Sequence, residues 1–498
     1  TAAGGVLGKV ISSTDMINYI TQNAALLEKI GIFFPFILAA ILKTAQGSST
    51  VAITTTAGIV APILTVLGLG TPVRTALAVM AIGAGAMTVS HANDSYFWVV
   101  TNFGGMTPEK GYKTQRRHPM KFLFASDSFK GTLSSPKTAE LLTCAAREIF
   151  PDCICDSIEV ADGGEGTTDA VLSAVNGKSS LLKVHGPLWE ELTCSYGMLD
   201  EKRAVMEMAA ASGLPLVPDE KRDPRYTTSY GTGEMILDAL NKGFRDISIA
   251  IGGSATNDGG IGCIRALGVR FLDENGEELK GCGEDLIKIR KIDVSDMNPL
   301  VKECNFTVMC DVTNPLCGKD GATYTFGKQK GATPEIQDEL EKGMQNYRDI
   351  LKAQFGVDMD QIEGAGAAGG LGAALMVFLK GTLKSGIETV LDLVDFDKRL
   401  EGVDIVVTGE GATDWQSVFG KVMQGVGMHC KAHNIPAVAI VGSMGTGAED
   451  IFDYGIDSMI TTINGVMTLP EALENAEELY LCAARRMFRM LRAGSRLA

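Results

Sequence analysis

Residues 120–129 read MKFLFASDSF, a short apolar run that ends in turn-forming polar residues. The apolar part, Phe122 to Ala125, predicts a buried strand because it is short and is followed directly by a polar loop. A capped amphipathic helix is predicted next, from Ser134 or Ser135 to Phe150. The segment therefore indicates the first strand and helix of an α/β domain.

The same order of strand, polar or glycine-rich tip and helix recurs farther along the chain. It recurs at predicted strands 156–161, 403–407, 437–441 and 458–461, and it ends in a long predicted helix, 469–491. This order is typical of an open parallel sheet, in which ligands bind outside the carboxyl ends of the strands. Between about residues 186 and 400 the pattern becomes mixed, which we interpret as a second α/β domain inserted into the first.

Charge is distributed unevenly along the 498 residues, whose formal net charge is −15. Residues 1–119 contain eight basic and four acidic side chains, a net charge of +4, which leaves −19 for the remainder. We do not expect such an acidic chain to bind nucleic acid, because that function needs a broad basic surface. We interpret the chain as two polypeptides of different character that join near residue 119.

The first part contains three apolar segments within 60 residues. Val51–Leu69 has about the ~20 residues that a membrane-spanning helix needs, so we predict that it crosses a bilayer. Ile30–Leu42 and Ala76–Ser90 are shorter and are predicted to be broken or oblique spans. The alternative is a set of buried helices in a large soluble core. The basic cluster Lys110–Lys121 predicts that the part that follows lies in the cytoplasm.

Three stretches of this part, AAILKTAQGSSTVAITTTAGIVAP, HANDSYFWVV and FGGMTPEKGY, resemble the C-terminal part of the gluconate permease family of proton-linked sugar-acid transporters. The resemblance covers about residues 24–114, far less than a complete member, so transport by this chain alone is not expected. An interfacial loop would explain the HANDSYFW stretch equally well on physical grounds alone. The resemblance implies remnants of a polar pathway at Gln46, Ser48, Ser49, His91, Asn93 and Asp94.

Five stretches of the larger part set a carboxylate beside glycines or other turn residues, mostly at the ends of predicted strands. Each alone is explained by an ordinary turn, in which Asp and Gly supply tight geometry. Phosphoryl transfer, however, needs amides or cations around phosphates, carboxylates for Mg²⁺, and a group that orients or deprotonates the attacking hydroxyl. The set could supply all three. It comprises DSFKG at 127–131, DGGEGT at 162–167, GGSATNDGG at 252–260, CDVTNP at 310–315 and GEGATDWQS at 409–417.

Other motifs carry less weight. The P-loop pattern GxxxxGK[ST] does not occur, and the GAGAAG run at 364–369 follows no predicted strand, which argues against dinucleotide binding there. His429 and His433 are one helical turn apart, but no third zinc ligand lies in that segment, so a solvated helix face is predicted.

Seven ordered motifs resemble the type I glycerate kinase family over residues 120 to about 492: DSFKGTLSS, DGGEGTTDAV, IGGSATNDGG, CDVTNPLCG, FGKQKGATP, GAGAAGGLGAAL and TGEGATDWQSVFGKV. The resemblance implies ATP-dependent phosphorylation of D-glycerate, most often to 2-phosphoglycerate, with 3-phosphoglycerate as the other product. It implies a flavodoxin-like domain, residues 120–185 and 400–498, with an inserted α/β domain, residues 186–399. The alternative substrate is another small 2-hydroxy acid.

The resemblance, read with the chemistry above, gives each candidate residue a role. Asp258 or Asp414 would accept the proton of the glycerate hydroxyl. Lys130 and Lys421 are expected to contact phosphates and the substrate carboxylate. Many members carry Arg after the GEG tripeptide where this chain has Ala412, so we expect Lys421 to supply the missing cation. Mg²⁺ would be held by residues from the set Asp162, Glu165, Asp311 and Glu410, and ligand contacts are expected from Asp127, Ser128, Gly163, Gly164, Gly252, Gly253, Ser254, Thr256, Asn257, Gln416 and Ser417.

Three hypotheses explain the join between the two parts. The chain is a kinase tethered to the membrane by a permease remnant, or a bifunctional permease and kinase that phosphorylates the entering acid. In the third hypothesis the join is a product of gene prediction or a frameshift, because Met120 is itself a natural start and the residues RRHP before it resemble neither family. The sequence makes no prediction of oligomeric state.

Overall fold

The computed structural model describes residues 30–65, 67–88, 119–129, 131–164, 166–418 and 420–495. The chain divides into two compact units, Thr1–His118 and Pro119–Ala498. The division lies beside the predicted change of character near residue 119.

The described part of the N-terminal unit contains three helices, α1 Phe33–Gln46, α2 Ser49–Val60 and α3 Pro72–Met87, with a 3₁₀ helix at Ala61–Ile63. Ser48 begins α2, because its hydroxyl accepts a hydrogen bond from the Val51 amide at 3.4 Å. This residue therefore has a capping role in the structure. The predicted polar-pathway residues His91, Asn93 and Asp94, and the side chain of Gln46, lie outside what the structure describes.

The predicted bilayer span Val51–Leu69 is not a single helix. Helix α2 ends at Val60, and the chain continues into the 3₁₀ helix Ala61–Ile63. Pro62 lies at this break; proline lacks the amide hydrogen that an α-helix needs, and its ring clashes with the preceding turn. Within the described ranges, no helix is both long and apolar enough to span a membrane.

The larger unit alternates strands with helices. The strands are β1 Lys121–Phe124, β2 Ile154–Ser157, β3 Lys178–His185, β4 Glu191–Met198, β5 Arg203–Glu207, β6 Asp246–Ala250, β7 Arg270–Leu272, β8 Lys291–Asp293, β9 Asn305–Met309, β10 Thr382–Lys384, β11 Ile405–Thr413, β12 Ala437–Met444 and β13 Ser458–Thr461. The α-helices are α4 Ser135–Ile149, α5 Thr167–Val175, α6 Ala209–Ser212, α7 Tyr230–Asn241, α8 Ile261–Ala266, α9 Ala322–Phe326, α10 Pro334–Phe355, α11 Leu371–Leu379, α12 Gly386–Leu393, α13 Phe396–Arg399, α14 Val422–Ala432, α15 Leu469–Glu474 and α16 Ala476–Gly494.

Five strands form a parallel sheet in the order β13-β12-β11-β1-β2. Counted along this sheet the order is 2-1-3-4-5, and it reverses between β1 and β11, where doubly wound sheets bind their ligands. Phe124 of β1 lies opposite Val407 of β11. The predicted parallel sheet is confirmed, and its ligand crevice is expected above these two central strands.

Six strands form a second, mixed sheet in the order β10-β9-β6-β5-β4-β3. Strands β10, β9, β6 and β5 are parallel, whereas β4 and β3 are antiparallel to their neighbours. Strand β3 pairs with β4 over its full length, from Lys178 opposite Met198 to His185 opposite Glu191. The predicted domain boundary at residue 185 therefore separates two paired strands, and the change of sheet lies between β2 and β3 instead.

Strand β1 illustrates how the parallel sheet is packed. Successive side chains of a strand point to opposite faces, so Phe122 and Phe124 pack with Phe488 of α16, and Leu123 packs on the other face. The ring centroids of Phe122 and Phe488 are 5.1 Å apart. The predicted helix 469–491 is broken at Asn475, so that α15 and α16 are separate helices.

A common apolar core joins the two sheets. Leu123 and Val406 of the parallel sheet belong to the same buried cluster as Val205, Ala250 and Met309 of the mixed sheet. Because burial of these side chains requires both sheets, the core fixes the position of one set of strand ends relative to the other.

Candidate active site

A cavity of about 590 Å³ lies at the carboxyl ends of the parallel strands, where their order reverses. We call it the switch-point cleft. Predicted site residues from four loops or strands meet in it: Asp127 and Ser128 after β1, Asp162, Glu410 in β11, and Lys421 before α14. Its remaining lining residues are Phe129, Thr132, Leu133, Gly411, Ala412, Gly442, Ser443, Thr462, Ile463, Met467, Thr468, Leu469, Ala472, Leu473 and Ala476.

A smaller cavity of about 260 Å³ lies at the carboxyl ends of β6 and β9 in the mixed sheet. We call it the glycine-rich cleft. It brings together seven predicted site residues from three separate motifs, namely Asp162, Gly163, Gly164, Gly252, Gly253, Ser254 and Asp311. It is also lined by Ile251, Met309, Cys310, Val312, Phe326, Gln329, Ala367 and Ala368.

Asp162 lines both clefts. Its carboxylate accepts a hydrogen bond from the Gly164 amide at 3.1 Å, which holds the side chain against its own loop. Gly163 has a φ of 86°, and a Cβ atom there would lie 2.8 Å from the Cα of Gly386. The loop can therefore pass between the two clefts only because residue 163 is glycine.

Asp311 faces the glycine-rich cleft from the end of β9. Its carboxylate accepts a hydrogen bond from the Gly386 amide at 2.9 Å. Asp311 is exposed at the surface of the cleft. Desolvation of its carboxylate by the surrounding protein, together with the nearby negative charge of Asp162, nevertheless raises its pKa to about 6. This carboxyl group can consequently hold or release a proton not far below neutral pH.

Glu410 is only 6% exposed although it lines the switch-point cleft. One carboxylate oxygen accepts hydrogen bonds from the Ser417 hydroxyl at 2.5 Å and the Thr413 hydroxyl at 2.9 Å. Ser417, which we predicted to bind the ligand, is fully buried and orients Glu410. In the described ranges no Lys, Arg or His forms an ion pair with Glu410. A buried carboxylate of this kind suits a cation from solution.

The structure corrects the prediction for Asp258. This carboxylate is completely buried and accepts hydrogen bonds from the Ser229 amide and hydroxyl at 2.8 and 2.7 Å, and from the amides of Gly260 and Gly262 at 3.0 and 3.3 Å. Burial raises its pKa. Asp258 lines neither cleft, and its hydrogen bonds hold its own loop against the residues around Ser229.

Other predicted site residues also lie away from the clefts. Thr256 and Asn257 are fully buried, because the loop turns into the protein after Ser254. Asp414 lines neither cleft. Lys130, Glu165 and the side chain of Gln416 lie outside what the structure describes.

Comparison with known proteins identifies the family of the unit that contains the two clefts. The family model described as Glycerate kinase family matches residues 122–492. Glycerate 2-kinase from Escherichia coli K12 is 44% identical over 380 residues, which cover 76% of this chain and 100% of that protein. The chain belongs to the glycerate kinase family. Glycerate kinase from Bacillus subtilis 168 is 43% identical over 74% of this chain and 96% of its own length. The chain is thus a phosphotransferase that acts on glycerate, and the family implies that ATP is the donor.

A crystal structure assigned as glycerate kinase 2 from Salmonella typhimurium LT2 matches with a TM-score of 0.69 and 41% identity. The match covers 76% of this chain and 100% of that chain, which confirms the mixed α/β architecture of the kinase. Residues 1–119 match a second family model, described as GntP family permease, over a range wider than the predicted 24–114.

Two functional candidates of this glycerate kinase were missed by sequence reasoning. Glu207, at the end of β5, accepts hydrogen bonds from the amides of Gly166 and Thr168 at 3.3 and 2.7 Å, and so ties the mixed sheet to the loop that carries Asp162. Lys330 is completely buried, and its ammonium group donates to the Thr256 carbonyl at 2.6 Å. The FGKQKGATP motif contains Lys330, but nothing in its spacing marks this lysine as the buried one.

Burial lowers the pKa of Lys330 to about 7, against the opposing effect of the Asp258 charge. The unfolded chain then binds more protons than the folded chain between pH 7 and the ordinary lysine pKa of 10.5, so stability should rise with pH in that window. Between pH 6 and 9 we expect the free energy of unfolding of the natural protein to increase by about 3 kcal/mol relative to that of Lys330→Met.

Urea denaturation of both proteins at the two pH values measures this change. Lys328→Met is the matched control, because Lys328 is exposed in the same 3₁₀ helix, Lys328–Lys330. If the free energies of unfolding of the natural protein and of Lys330→Met change equally with pH, the pKa of Lys330 is not lowered and the prediction is wrong.

Proposed function

We propose that this glycerate kinase transfers a phosphoryl group past Asp162, from ATP in the switch-point cleft to glycerate in the glycine-rich cleft. The observation that supports the proposal is that Asp162 lines both cavities. A phosphate chain in one cleft and a hydroxyl in the other would meet beside this residue. Kinases depend mainly on positioning and electrostatic stabilisation, so such a meeting point is the main requirement.

The sizes and linings of the clefts support this assignment of the two substrates. The switch-point cleft, at about 590 Å³, falls in the range of cavities that hold drug-sized ligands. Lys421 and the backbone of Gly411 and Gly442 line it and are suited to phosphates. The glycine-rich cleft, at about 260 Å³, suits a three-carbon acid. We propose that Gly252, Gly253 and Ser254 contact the acid there.

The carboxylates of the switch-point cleft fit a magnesium ion. Mg²⁺ prefers oxygen ligands and is usually held by one or two carboxylates together with phosphates and water. Asp162 and the buried Glu410, which has only hydroxyl partners in the described chain, would hold it. When bound, Mg²⁺ would offset negative charge on the transferred phosphoryl group. Ala412 lines the same cleft, which agrees with Lys421 supplying the cation that other members obtain from Arg.

Asp311 is the proposed acceptor of the glycerate hydroxyl proton. It faces the glycine-rich cleft, and a pKa of about 6 suits a group that must accept a proton near neutral pH. In the reaction the hydroxyl oxygen forms a bond to the γ-phosphorus, the bond from that phosphorus to the ADP oxygen breaks, and the hydroxyl proton passes to Asp311.

Asp311→Asn should lower kcat about 10²-fold or more, because general-base catalysis typically contributes 10²–10⁴-fold. The amide oxygen of Asn can still accept from Gly386, so the fold should persist. Asp320→Asn, an exposed position outside both clefts, should leave kcat unchanged. Steady-state kinetics with ATP and glycerate measure both variants, and a kcat within about 3-fold of the natural value would exclude Asp311 as the base.

We propose that the product is 2-phosphoglycerate, since the Escherichia coli relative at 44% identity is named glycerate 2-kinase. Phosphorus NMR of the product should give the resonance of the 2-isomer, and the 3-isomer would disprove the assignment. Parallel assays with glycolate, lactate and tartronate test the alternative that another small 2-hydroxy acid is the natural substrate.

A second proposal is that residues 1–119 associate with a membrane and leave the kinase on the cytoplasmic side. The match to a permease family model supports it, as do the exposed apolar side chains Phe33, Ile37 and Ile41, which recur every four residues along α1. The full chain should float with vesicles of bacterial polar lipid in a density gradient. Recovery in the lipid-free fractions would contradict membrane association, and accumulation of labelled gluconate in such vesicles would favour the bifunctional alternative.

A further inference from the structure

Helix α15, Leu469–Glu474, has no buried residue. Its apolar side chains lie at the edge of a cavity. Leu469, Ala472 and Leu473, with Ala476 at the start of α16, all line the switch-point cleft. The spacing of three and four residues from Leu469 puts Leu469, Ala472 and Leu473 on one face of α15. Leu469 is 71% exposed and Leu473 is 50% exposed. The cleft is therefore bordered by an apolar helix face on which the described chain packs little of its own.

Further apolar residues complete this end of the cleft. Phe129 and Leu133 follow β1, and Ile463 and Met467 follow β13. Of the acidic and basic residues of the cleft, Asp127 comes from the same loop as Phe129, whereas Asp162, Glu410 and Lys421 come from other segments. The cleft thus combines groups that suit phosphates and a metal with an exposed apolar surface. A ligand that covers this surface removes it from water, which favours binding.

The hydroxyl groups among these apolar residues already donate to the protein itself. Thr132 donates to the Phe129 carbonyl at 2.9 Å, Thr468 to the Glu471 carboxylate at 2.8 Å, and Thr462 to the Gly442 carbonyl at 3.4 Å. Among the described lining residues this end of the cleft contributes no amide side chain. Among those residues there is therefore no amide side chain that could distinguish the hydrogen-bonding edges of adenine and guanine.

We propose that the apolar end of the switch-point cleft binds the purine base of the phosphoryl donor mainly by apolar packing, without a side-chain amide of the described residues at its edge, so that the kinase discriminates weakly between ATP and GTP. The inference rests on the proposed placement of the nucleotide in this cleft. A nucleotide is the occupant that matches the cleft, because it joins a flat apolar base to a charged phosphate chain. Sites that hydrogen-bond a substrate group reject analogues that lack it by ~10⁴-fold or more, whereas apolar contact alone discriminates far less.

The first test is Leu473→Asp, which adds a charge to the apolar surface without disturbing a buried residue. The KM for ATP should rise about 10-fold or more, and the KM for glycerate should stay unchanged, since losing apolar contact typically costs 10–200-fold. Leu181→Asp is the matched control, because Leu181 of β3 is 73% exposed and lines neither cleft. An unchanged KM for ATP in folded Leu473→Asp would overturn the proposal.

The second test needs no variant. The natural enzyme should use ATP and GTP with kcat/KM values within ~100-fold of each other, and a larger preference would overturn the proposal. Displacement of a fluorescent mant-ATP by ATP and by GTP, with no glycerate present, should occur at similar concentrations.

Lys421→Met separates this inference from the proposed function. If Lys421→Met leaves the KM for ATP unchanged and raises only that for glycerate, the placement of the nucleotide is wrong. If Lys421→Met raises the KM for ATP and Leu473→Asp does not, the placement stands and the base lies elsewhere.

Discussion

The shared apolar core between the two sheets is the constraint on which the site depends. Leu123 and Val406 of one sheet and Val205 and Met309 of the other are buried in one cluster, so neither sheet can shift without exposing apolar surface. Glu207 adds a polar tie between the mixed sheet and the start of α5. As a result, the loop of Asp162 is held where the strand ends of both sheets can reach it.

The acidic character of the kinase makes this arrangement demanding. Glycerate is an anion, and the carboxylates Asp162, Asp311 and Glu410 line the two clefts. Repulsion between Asp162 and Asp311 already contributes to the raised pKa of Asp311. In the proposed function, Lys421, backbone amides and a metal ion would offset this negative charge. Loops in which glycine permits close approach can present such amides to an anion.

Local sequence patterns predicted individual strands and helices better than they predicted which strands pair and which polar side chains are buried. The short apolar run at Phe122 and the capped helix after Ser134 are where the sequence indicates, because both depend on neighbouring residues. The pairing of β3 with β4 and the burial of Asp258 depend on contacts far along the chain, which periodicity cannot reveal. The motifs identified the clefts, since Asp162, Asp311 and Glu410 line them, but glycine-flanked carboxylates look alike whether they face a ligand or hold a loop.

The strand order of the parallel sheet determines when this sheet can form during synthesis. Strand β1 pairs with β11, so that Phe122 lies beside Ile405, a residue almost 300 positions later. A ribosome must complete β11, which ends at Thr413, before the two central strands can meet. Chains that end before β11 consequently lack Glu410, Gly411 and Ala412, and with them one wall of the switch-point cleft.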